Sequence, residues 1–247
     1  MRKWIRDLPF VRQYRAQKYF WKSFNDSGEW ELKELPHYVA KDRYAIDVGG
    51  NIGVYAFHLG RLSKGVIVFE PNPQYVDRLK KLGLAERLEE VALSDRAGVA
   101  ELRIPLRDGA EDHGMGSLEA EAVPGSVLAR TFQVPLKRLD DYRFENVGFI
   151  KIDVEGHEEG VLRGATETLA RERPNLLIEI EERHNPGGLE RIRGLLAGYD
   201  GFFFLGGERR PLSEFNPNVH QRLEDLALAF DNRRASPYVN NFLFTPA

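Results

Sequence analysis

The fold is decided by one stretch of the chain, Tyr44-Ala45-Ile46-Asp47-Val48-Gly49-Gly50-Asn51-Ile52-Gly53, and by the strand-like Val66-Ile67-Val68-Phe69-Glu70 that follows it. The pattern predicts a strand, a glycine-rich turn, a helix and a second strand that ends on a carboxylate. Glycine has no Cβ, so a ligand can approach the backbone of such a turn closely. A carboxylate about 20 residues after the first glycine can accept hydrogen bonds from ribose hydroxyls. The stretch therefore predicts a nucleoside site.

The spacing of the glycines separates two classes of cofactor. Nicotinamide and flavin sites use G-x-G-x-x-G, and this pattern fails whether it is started at Gly49 or at Gly50. What remains is D-x-G-x-x-x-G, which resembles the first motif of class I methyltransferases that use S-adenosylmethionine (SAM). The resemblance implies that Glu70 holds the ribose of SAM and that Asp47 and the turn hold its amino acid end. The turn residues in question are Gly49, Gly50, Asn51 and Gly53. A purely structural turn in another α/β enzyme is the alternative.

Composition is that of an ordinary α/β enzyme. The 247 residues suffice for one sizeable domain, and the 42% hydrophobic and 30% charged residues are typical of globular proteins. The absence of cysteine excludes disulfides, thiolate zinc sites and cysteine catalysis. No apolar run approaches the ~20 residues of a membrane span, and no signal-peptide pattern is present. We therefore expect a cytoplasmic enzyme.

Positive charge is concentrated at the start of the chain. Residues 1–24 contain seven Lys and Arg residues and one Asp, a local net charge of +6. Because the whole chain has a net charge of −3, the remainder has a net charge of −9. No other stretch is comparably basic, and we do not expect nucleic-acid binding. We predict a helical appendage over residues 1–36, before a methyltransferase domain over 37–247.

Aromatic residues are interleaved with this charge, and a helix is predicted to begin near Pro9. Four of them fall on one face of that helix: Phe10, Tyr14, Trp21 and Phe24. In one interpretation this face packs on the main domain or covers its active site. In the other, the basic aromatic segment contacts an anionic membrane, which would place the enzyme at the inner membrane surface.

The rest of the chain predicts an α/β fold, with a doubly wound, mostly parallel seven-stranded sheet and an antiparallel hairpin at its C-terminal edge. The expected later strands span residues 88–93, 147–152, 176–180, 201–205 and 241–244. Asp95, after the third strand, is a candidate for the adenine amino group or a simple turn residue. Residues 97–139 interrupt the alternation and predict an antiparallel excursion with a mobile loop over the acceptor site. Arg107, His113 and Ser117 are candidate substrate contacts there. We expect residues 206–237 to be polar and irregular, apart from a short helix.

A group of ionisable residues follows the fourth predicted strand. Asp153, Glu155 and His157 alternate along an extended segment, so they can line one wall of the ligand crevice. Charges crowded in this way are a setting in which pKa values shift.

Two long motifs resemble one particular family. Residues 151–158, Lys-Ile-Asp-Val-Glu-Gly-His-Glu, with Val161-Leu162-Arg163-Gly164-Ala165 are similar to the signature of FkbM-type methyltransferases. The first motif is similar too, although alanine is usual at the position of Gly50. The loop at 116–118 and the ending at 241–244 are weaker similarities, and together the resemblance covers residues 44–245. It implies O-methylation of a hydroxyl on a sugar, glycan or natural-product acceptor.

A neutral hydroxyl is a poor nucleophile, so we expect a general base. His157 is the first candidate because imidazole titrates near neutral pH. Asp153 or Glu155 would then orient the base or the acceptor, and His184 is the rival base. Several alternatives stay open. Glu155 could instead cap the following helix, His157 could be an ordinary surface residue, and a divalent metal could be held by Asp153, Glu155 or Glu179 with a histidine. A nicotinamide-dependent reductase and a non-catalytic SAM-binding module are the alternative functions.

Overall fold

Helices and strands alternate along most of the chain in the computed structural model, which describes residues 9–27, 29–107, 110–111, 116–119, 129–231 and 236–247. The strands are β1 (Tyr44–Val48), β2 (Val66–Phe69), β3 (Arg87–Glu89), β4 (Ala92–Leu93), β5 (Gly98–Arg107), β6 (Ala110–Glu111), β7 (Ala129–Lys137), β8 (Val147–Ile152), β9 (Asn175–Glu179), β10 (Tyr199–Leu205), β11 (Glu208–Pro211) and β12 (Asn241–Pro246). The helices are α1 (Pro9–Lys22), α2 (Trp30–Tyr38), α3 (Val54–Leu62), α4 (Pro73–Leu82), α5 (Glu158–Arg163), α6 (Thr166–Glu172), α7 (Gly188–Leu195), α8 (Pro217–His220) and α9 (Leu223–Asp231).

The larger sheet has the order β11-β10-β12-β9-β8-β1-β2-β3 among the described strands. The five strands from β3 to β9 in that order are parallel, whereas β12, β10 and β11 run antiparallel to their neighbours. This confirms the predicted α/β fold with a mostly parallel central sheet. Because β12 is antiparallel and lies between β9 and β10, its first residues lie at the same edge as the carboxyl ends of β8 and β9.

The prediction of seven strands was wrong by one. β11 lies within the segment expected to be irregular and pairs with β10 through a two-residue connection, Gly206-Gly207. Both glycines have positive φ, 60° and 84°, as the tightest hairpin turns require. β11 forms the edge of the large sheet. The antiparallel pair of β10 and β12, which was predicted at that edge, therefore lies inside the sheet.

The predicted third strand is broken into two pieces. β3 belongs to the large sheet, but β4 pairs with β7 in a second sheet of order β4-β7-β5-β6. β5 and β7 form its long antiparallel pair, from Gly98 opposite Leu136 to Pro105 opposite Ala129. Ala92 packs with the apolar residues of that pair, a cluster separate from the main core. The antiparallel excursion therefore forms its own sheet and does not extend the margin of the first.

The large sheet buries apolar residues on both faces. Ile46 and Val48 of β1 pack into a core with β8 and β9 residues, and Ala45 packs into a second core on the opposite face. Leu32 and Leu35 of α2 are buried in that second core. α2 therefore runs across the predicted boundary at residue 36 and packs with the main domain.

The first helix presents its aromatic residues to solvent. α1 begins at Pro9, as the pattern predicts, but it packs on the domain through Ala16 and Phe20. Exposed fractions are 68% for Phe10, 67% for Tyr14 and 45% for Trp21. The interpretation that this face covers the main domain is therefore wrong for these three residues. Phe24, in a π-helical turn, is partly buried and stacks on His58.

Candidate functional site

A pocket that is partly open to solvent lies at the carboxyl edge of β1, β2 and β8. Its apolar walls are Val48, Phe69, Pro71, Tyr75, Val91, Ala92, Leu93, Leu102, Leu118 and Val154, and its polar residues are Asn51, Glu70, Asn72, Asp153, Glu155 and His157, with Gly49 and Gly116. Apolar walls with a few convergent polar groups are typical of small-molecule sites.

Glu70 is the most firmly held polar residue of the pocket. One carboxylate oxygen accepts from the backbone N–H of Asn51 and the other from that of Asn72, both at 2.7 Å. Burial raises the pKa of Glu70 to about 7, opposed by these two hydrogen bonds. The same carboxylate thereby fixes the turn after β1 and the start of α4, where Asn72 caps the helix by accepting from Gln74.

Different structural constraints require glycine at the positions after β1. A Cβ on Gly49 would lie 1.9 Å from the carbonyl oxygen of Asp153, and the residue has φ +86°. Gly49 is therefore needed where β1 passes the end of β8. A Cβ on Gly50 would meet the side chain of Val68 at 2.3 Å. Because Gly50 and Gly53 lie outside the pocket lining, packing and backbone geometry explain them without a ligand.

Asp47 and Asp95, both predicted to contact SAM, also lie outside that lining. Asp47 alternates with Ile46 and Val48, so it faces the second core, where it is 1% exposed. Burial raises its pKa to about 8, opposed by Lys151 and the amide of Ala56. Asp95 is hydrogen-bonded to Ser94 and Arg96. These contacts fit its interpretation as a turn residue, and its contact with the adenine amino group stays a prediction.

The loop after β8 brings Asp153, Glu155 and His157 to one wall of the pocket, as their alternation predicts. Glu155 has φ +51°, a left-handed conformation that is uncommon for residues with a side chain. Its carbonyl oxygen accepts from the hydroxyl of Ser117 at 2.6 Å. The helix-capping alternative for Glu155 is wrong, because the carboxylate of Glu158 accepts from the loop amides, including that of Gly156 at 3.0 Å.

His157 connects the pocket to the loop of the second sheet. Its Nδ1 lies 2.6 Å from the carboxylate of Glu119, and its Nε2 lies 3.0 Å from the hydroxyl of Ser94. Both ring nitrogens are therefore engaged, which disfavours the predicted role as general base. Ser117 is also a structural residue, 1% exposed and paired with Arg103. Gly116 and Leu118 beside it line the pocket. Of the other two loop candidates, the side chain of Arg107 is not described and His113 lies outside the described residues.

His184 lies on the other side of Glu155. Its Nδ1 is 3.4 Å from a carboxylate oxygen of Glu155. Burial, with the charge of Arg183, lowers the pKa of His184. Burial and the nearby carboxylates of Asp153 and Glu181 raise the pKa of Glu155 well above its usual value. The two pKa shifts are opposite in direction because burial disfavours the charged form of both the carboxylate and the imidazole.

Sequence reasoning missed a polar network beyond this pair. Lys151 is 1% exposed, and its Nζ lies 3.1 Å from the side-chain oxygen of Asn241 and 3.7 Å from the carboxylate of Asp153. Burial alone would lower the pKa of Lys151, but four surrounding carboxylates raise it above its usual value. The lysine therefore stays charged under the end of β8.

Asn240, directly before β12, extends the network to the end of β9. Asn240 donates to the carboxylate of Glu179 at 2.6 Å and to that of Glu181 at 3.3 Å. Glu181 also accepts from Tyr238 and pairs with Arg183. The sequence signal was the asparagine pair at the start of the last strand, Asn240 and Asn241, but only the antiparallel insertion of β12 places it at this edge.

The described part of the chain contains no set of side chains arranged as metal ligands. No group of three or more His, Asp or Glu side chains there is arranged to hold a metal ion. The divalent-metal alternative at Asp153, Glu155 and Glu179 therefore has no support from the side-chain geometry. No described helix is long and apolar enough to span a bilayer.

The fold is Rossmann-like, with a pocket at the carboxyl edge of its parallel strands. The model of the "Methyltransferase FkbM domain" family matches residues 47–201. The chain therefore belongs to the FkbM methyltransferase family, as the two motifs predict.

One curated relative is the hexuronic acid methyltransferase AglP of Haloferax volcanii, which is 29% identical over 168 residues. The match covers 60% of this chain and 61% of the relative's length. Among solved structures, the methyltransferase FkbM of Methylobacillus flagellatus is 15% identical, covering 95% of this chain and 59% of that one, with a TM-score of 0.48. SMU.1697c of Streptococcus mutans, solved with SAH, is 12% identical, covering 88% and 96%, also with a TM-score of 0.48.

Proposed function

We propose that this protein is a SAM-dependent methyltransferase that methylates a hydroxyl group of a sugar acceptor. One observation carries the proposal: Glu70 and Asn51 meet Asp153 and Glu155 in a single pocket. Membership of the FkbM family supports methyl transfer. The name of the curated relative supports a sugar acid as the acceptor class.

The pocket residues fit SAM. A carboxylate has about four lone-pair sites, and Glu70 uses only two of them for backbone amides. The remaining sites suit the ribose hydroxyls, and the apolar side chains of Phe69 and Tyr75 suit the adenine. The turn at Gly49 and Asn51, with Asp153, would hold the amino acid end. Bound SAM would supply an electrophilic methyl group on a sulfonium, a cation that the carboxylates of Asp153 and Glu155 would attract.

Glu155 and His184 are the residues we assign to the acceptor's proton. Glu155 lines the pocket, and its carboxylate contacts Nδ1 of His184 at 3.4 Å. Glu155 would take the hydroxyl proton at a carboxylate oxygen as the methyl group passes from the sulfur of SAM to the hydroxyl oxygen, with the neutral thioether as the leaving group. His184 stabilises the proton there. A positioned base of this kind contributes about 10²–10⁴-fold to the rate.

The negative charge of the pocket wall that contains Asp153 and Glu155 favours a hydroxyl over a carboxylate as the methylated group. A sugar acid offers both, and they give a methyl ether or a methyl ester. Asp153 and Glu155 both face the pocket, and like charges brought together at a binding site cost several kcal/mol. The acceptor's own carboxylate would therefore lie away from the reacting position.

The test is methyl transfer from labelled SAM to the methyl glycoside of glucuronic acid, with the matching glucoside as second acceptor. We expect a product that gains one methyl group and keeps it after mild alkali, because an ether resists base and an ester does not. Glu155→Gln should abolish the product, and Glu190→Gln, at an exposed carboxylate, serves as the matched control. Base-labile label would contradict hydroxyl methylation. Absence of transfer to either sugar would contradict the acceptor class.

A further inference from the structure

The outer face of α1 carries exposed aromatic side chains. Phe10, Tyr14 and Trp21 recur at i, i+4 and i+11, so they lie along one side of the helix. Their exposed fractions are 68%, 67% and 45%. Scattered exposed apolar residues are normal, but a continuous stripe of large ones marks an interaction surface.

The inner face of α1 fixes this stripe in place. Phe20 is fully buried, with its ring centroid 5.0 Å from that of Phe57 in α3. The carbonyl oxygen of Phe20 lies 3.2 Å from Nε2 of His58, and burial lowers the pKa of His58 to about 4. The imidazole is thus neutral and can donate to that carbonyl. Trp21, at one end of the stripe, also packs edge-on against Phe57 and His58. Phe10 and Tyr14 are therefore held outward, already in their docking orientation.

Basic residues flank the stripe. α1 contains no acidic residue, and Arg15, Lys18 and Lys22 on it are exposed. None of these three forms an ion pair within the described residues. The lysines of α4 differ, because Lys80 pairs with Glu90 and Lys81 with Asp77. The positive charge beside the aromatic stripe is thus available to an anionic surface.

We propose that this face of α1 docks the protein onto an anionic lipid bilayer. The aromatic residues would enter the headgroup boundary while the basic residues pair with lipid phosphates, as in interfacial amphipathic helices. A protein partner fits less well, because lysine is depleted in protein interfaces. Single-stranded nucleic acid usually follows a charged groove, whereas this stripe lies on the convex surface of one helix.

Docking would also place the catalytic domain relative to the bilayer. α1 packs on α3 through Phe20 and Phe57, and α3 begins at Val54, directly after the glycine turn of the pocket. The helix that contacts lipid is thus packed on the helix that begins at the cofactor turn.

The experiment is flotation of the full chain with vesicles of phosphatidylcholine, with and without phosphatidylglycerol. We expect binding only with phosphatidylglycerol, weakened by added salt. The double variant Phe10→Ser/Tyr14→Ser should bind at least tenfold more weakly. Lys18→Gln/Lys22→Gln should lose about fivefold per lysine, since each contributes about 1 kcal/mol at such a surface.

Two matched controls separate a local effect from a general one. Val219→Ser/Leu223→Ser removes equally exposed apolar residues elsewhere, and Lys80→Gln/Lys81→Gln removes two lysines of α4. Both should bind as the unmodified protein does. As a measurement that needs no variant, tryptophan fluorescence should shift to shorter wavelength when anionic vesicles are added. Equal binding to both vesicle types, unchanged binding of the α1 variants, or binding of an oligonucleotide without vesicle binding would overturn the proposal.

Discussion

The two walls of the pocket are built in different ways. On the cofactor wall, Glu70 accepts from the backbone amides of Asn51 and Asn72, residues 19 and two positions away. On the acceptor wall, side chains meet across long sequence separations, such as Lys151 with Asn241, 90 residues apart. One wall is a local backbone structure, and the other depends on where distant strands lie in the sheet.

The difference predicts how the walls respond to substitution. A wall made of backbone hydrogen bonds resists side-chain changes elsewhere, so cofactor binding should survive damage to the acceptor wall. A wall made of linked side chains should lose catalysis when one member changes. The following predictions test this separation, from the largest expected effect to the smallest.

Glu155→Gln should lower kcat by about 10²–10⁴-fold, because the amide cannot accept the acceptor's proton. The dissociation constant for SAM should change less than about threefold, since Glu70 and its amides are untouched. Steady-state kinetics and calorimetric titration of the same preparation measure both quantities. A parallel loss of SAM binding would show that the two walls are not separable.

Gly49→Ala should lower the free energy of unfolding by about 3 kcal/mol, from left-handed backbone strain and overpacking together. The added Cβ would lie 1.9 Å from the carbonyl oxygen of Asp153. Gly83→Ala is the control, because Gly83 also has positive φ but nothing lies within 4 Å of its Cβ position. Urea denaturation should show a clearly smaller loss for the control. Equal losses would mean that the contact between β1 and the end of β8 contributes nothing.

His157→Ala should raise the KM for the acceptor by roughly tenfold and leave kcat and SAM affinity within about threefold, as expected for a residue that only supports acceptor binding. The variant releases the loop at 116–119, whose Leu118 lines the pocket, by removing the contact with Glu119. Glu119→Gln should show the same split in a milder form. A collapse of kcat with an unchanged KM for the acceptor would restore His157 as the general base.

SAM affinity should rise severalfold between about pH 5.5 and pH 7, because the pKa of Glu70 is raised to about 7. The ionised carboxylate accepts ribose hydroxyls better than the protonated one, so bound SAM favours proton loss. Affinity therefore strengthens as pH rises towards that pKa. Glu70→Gln should bind weakly at every pH, with a flat profile. An equal slope in the variant would assign the titration to another group.

The same contrast explains what the sequence could predict. The glycine turn, the carboxylate at the end of β2 and the Asn72 cap follow from residue types within one short stretch, and the structure has them as predicted. The prediction that Asp47 contacts the ligand rested on its place in the motif alone. The alternation of side chains along β1 turns Asp47 to the face of the sheet opposite to that of Ile46 and Val48. The break between β3 and β4 escaped the pattern because only two residues separate the two strands, and only their pairing in different sheets distinguishes them.

On the acceptor wall, the alternation of Asp153, Glu155 and His157 correctly predicted residues that line the pocket. It could not predict that Ser94 and Glu119 engage both nitrogens of His157. His184 appeared only as a rival base, because its contact with Glu155 depends on how the loops after β8 and β9 pack. The partners of Lys151 come from β12, which the order of strands in the chain does not place beside it.

The most direct test of the central claim is calorimetric titration of SAM, and separately of NADH, into the protein and its Glu70→Ala variant. We predict micromolar SAM binding that weakens sharply in the variant, with no NADH binding to either. A protein that binds NADH and not SAM, or whose SAM affinity is unchanged by Glu70→Ala, would contradict the assignment of this pocket.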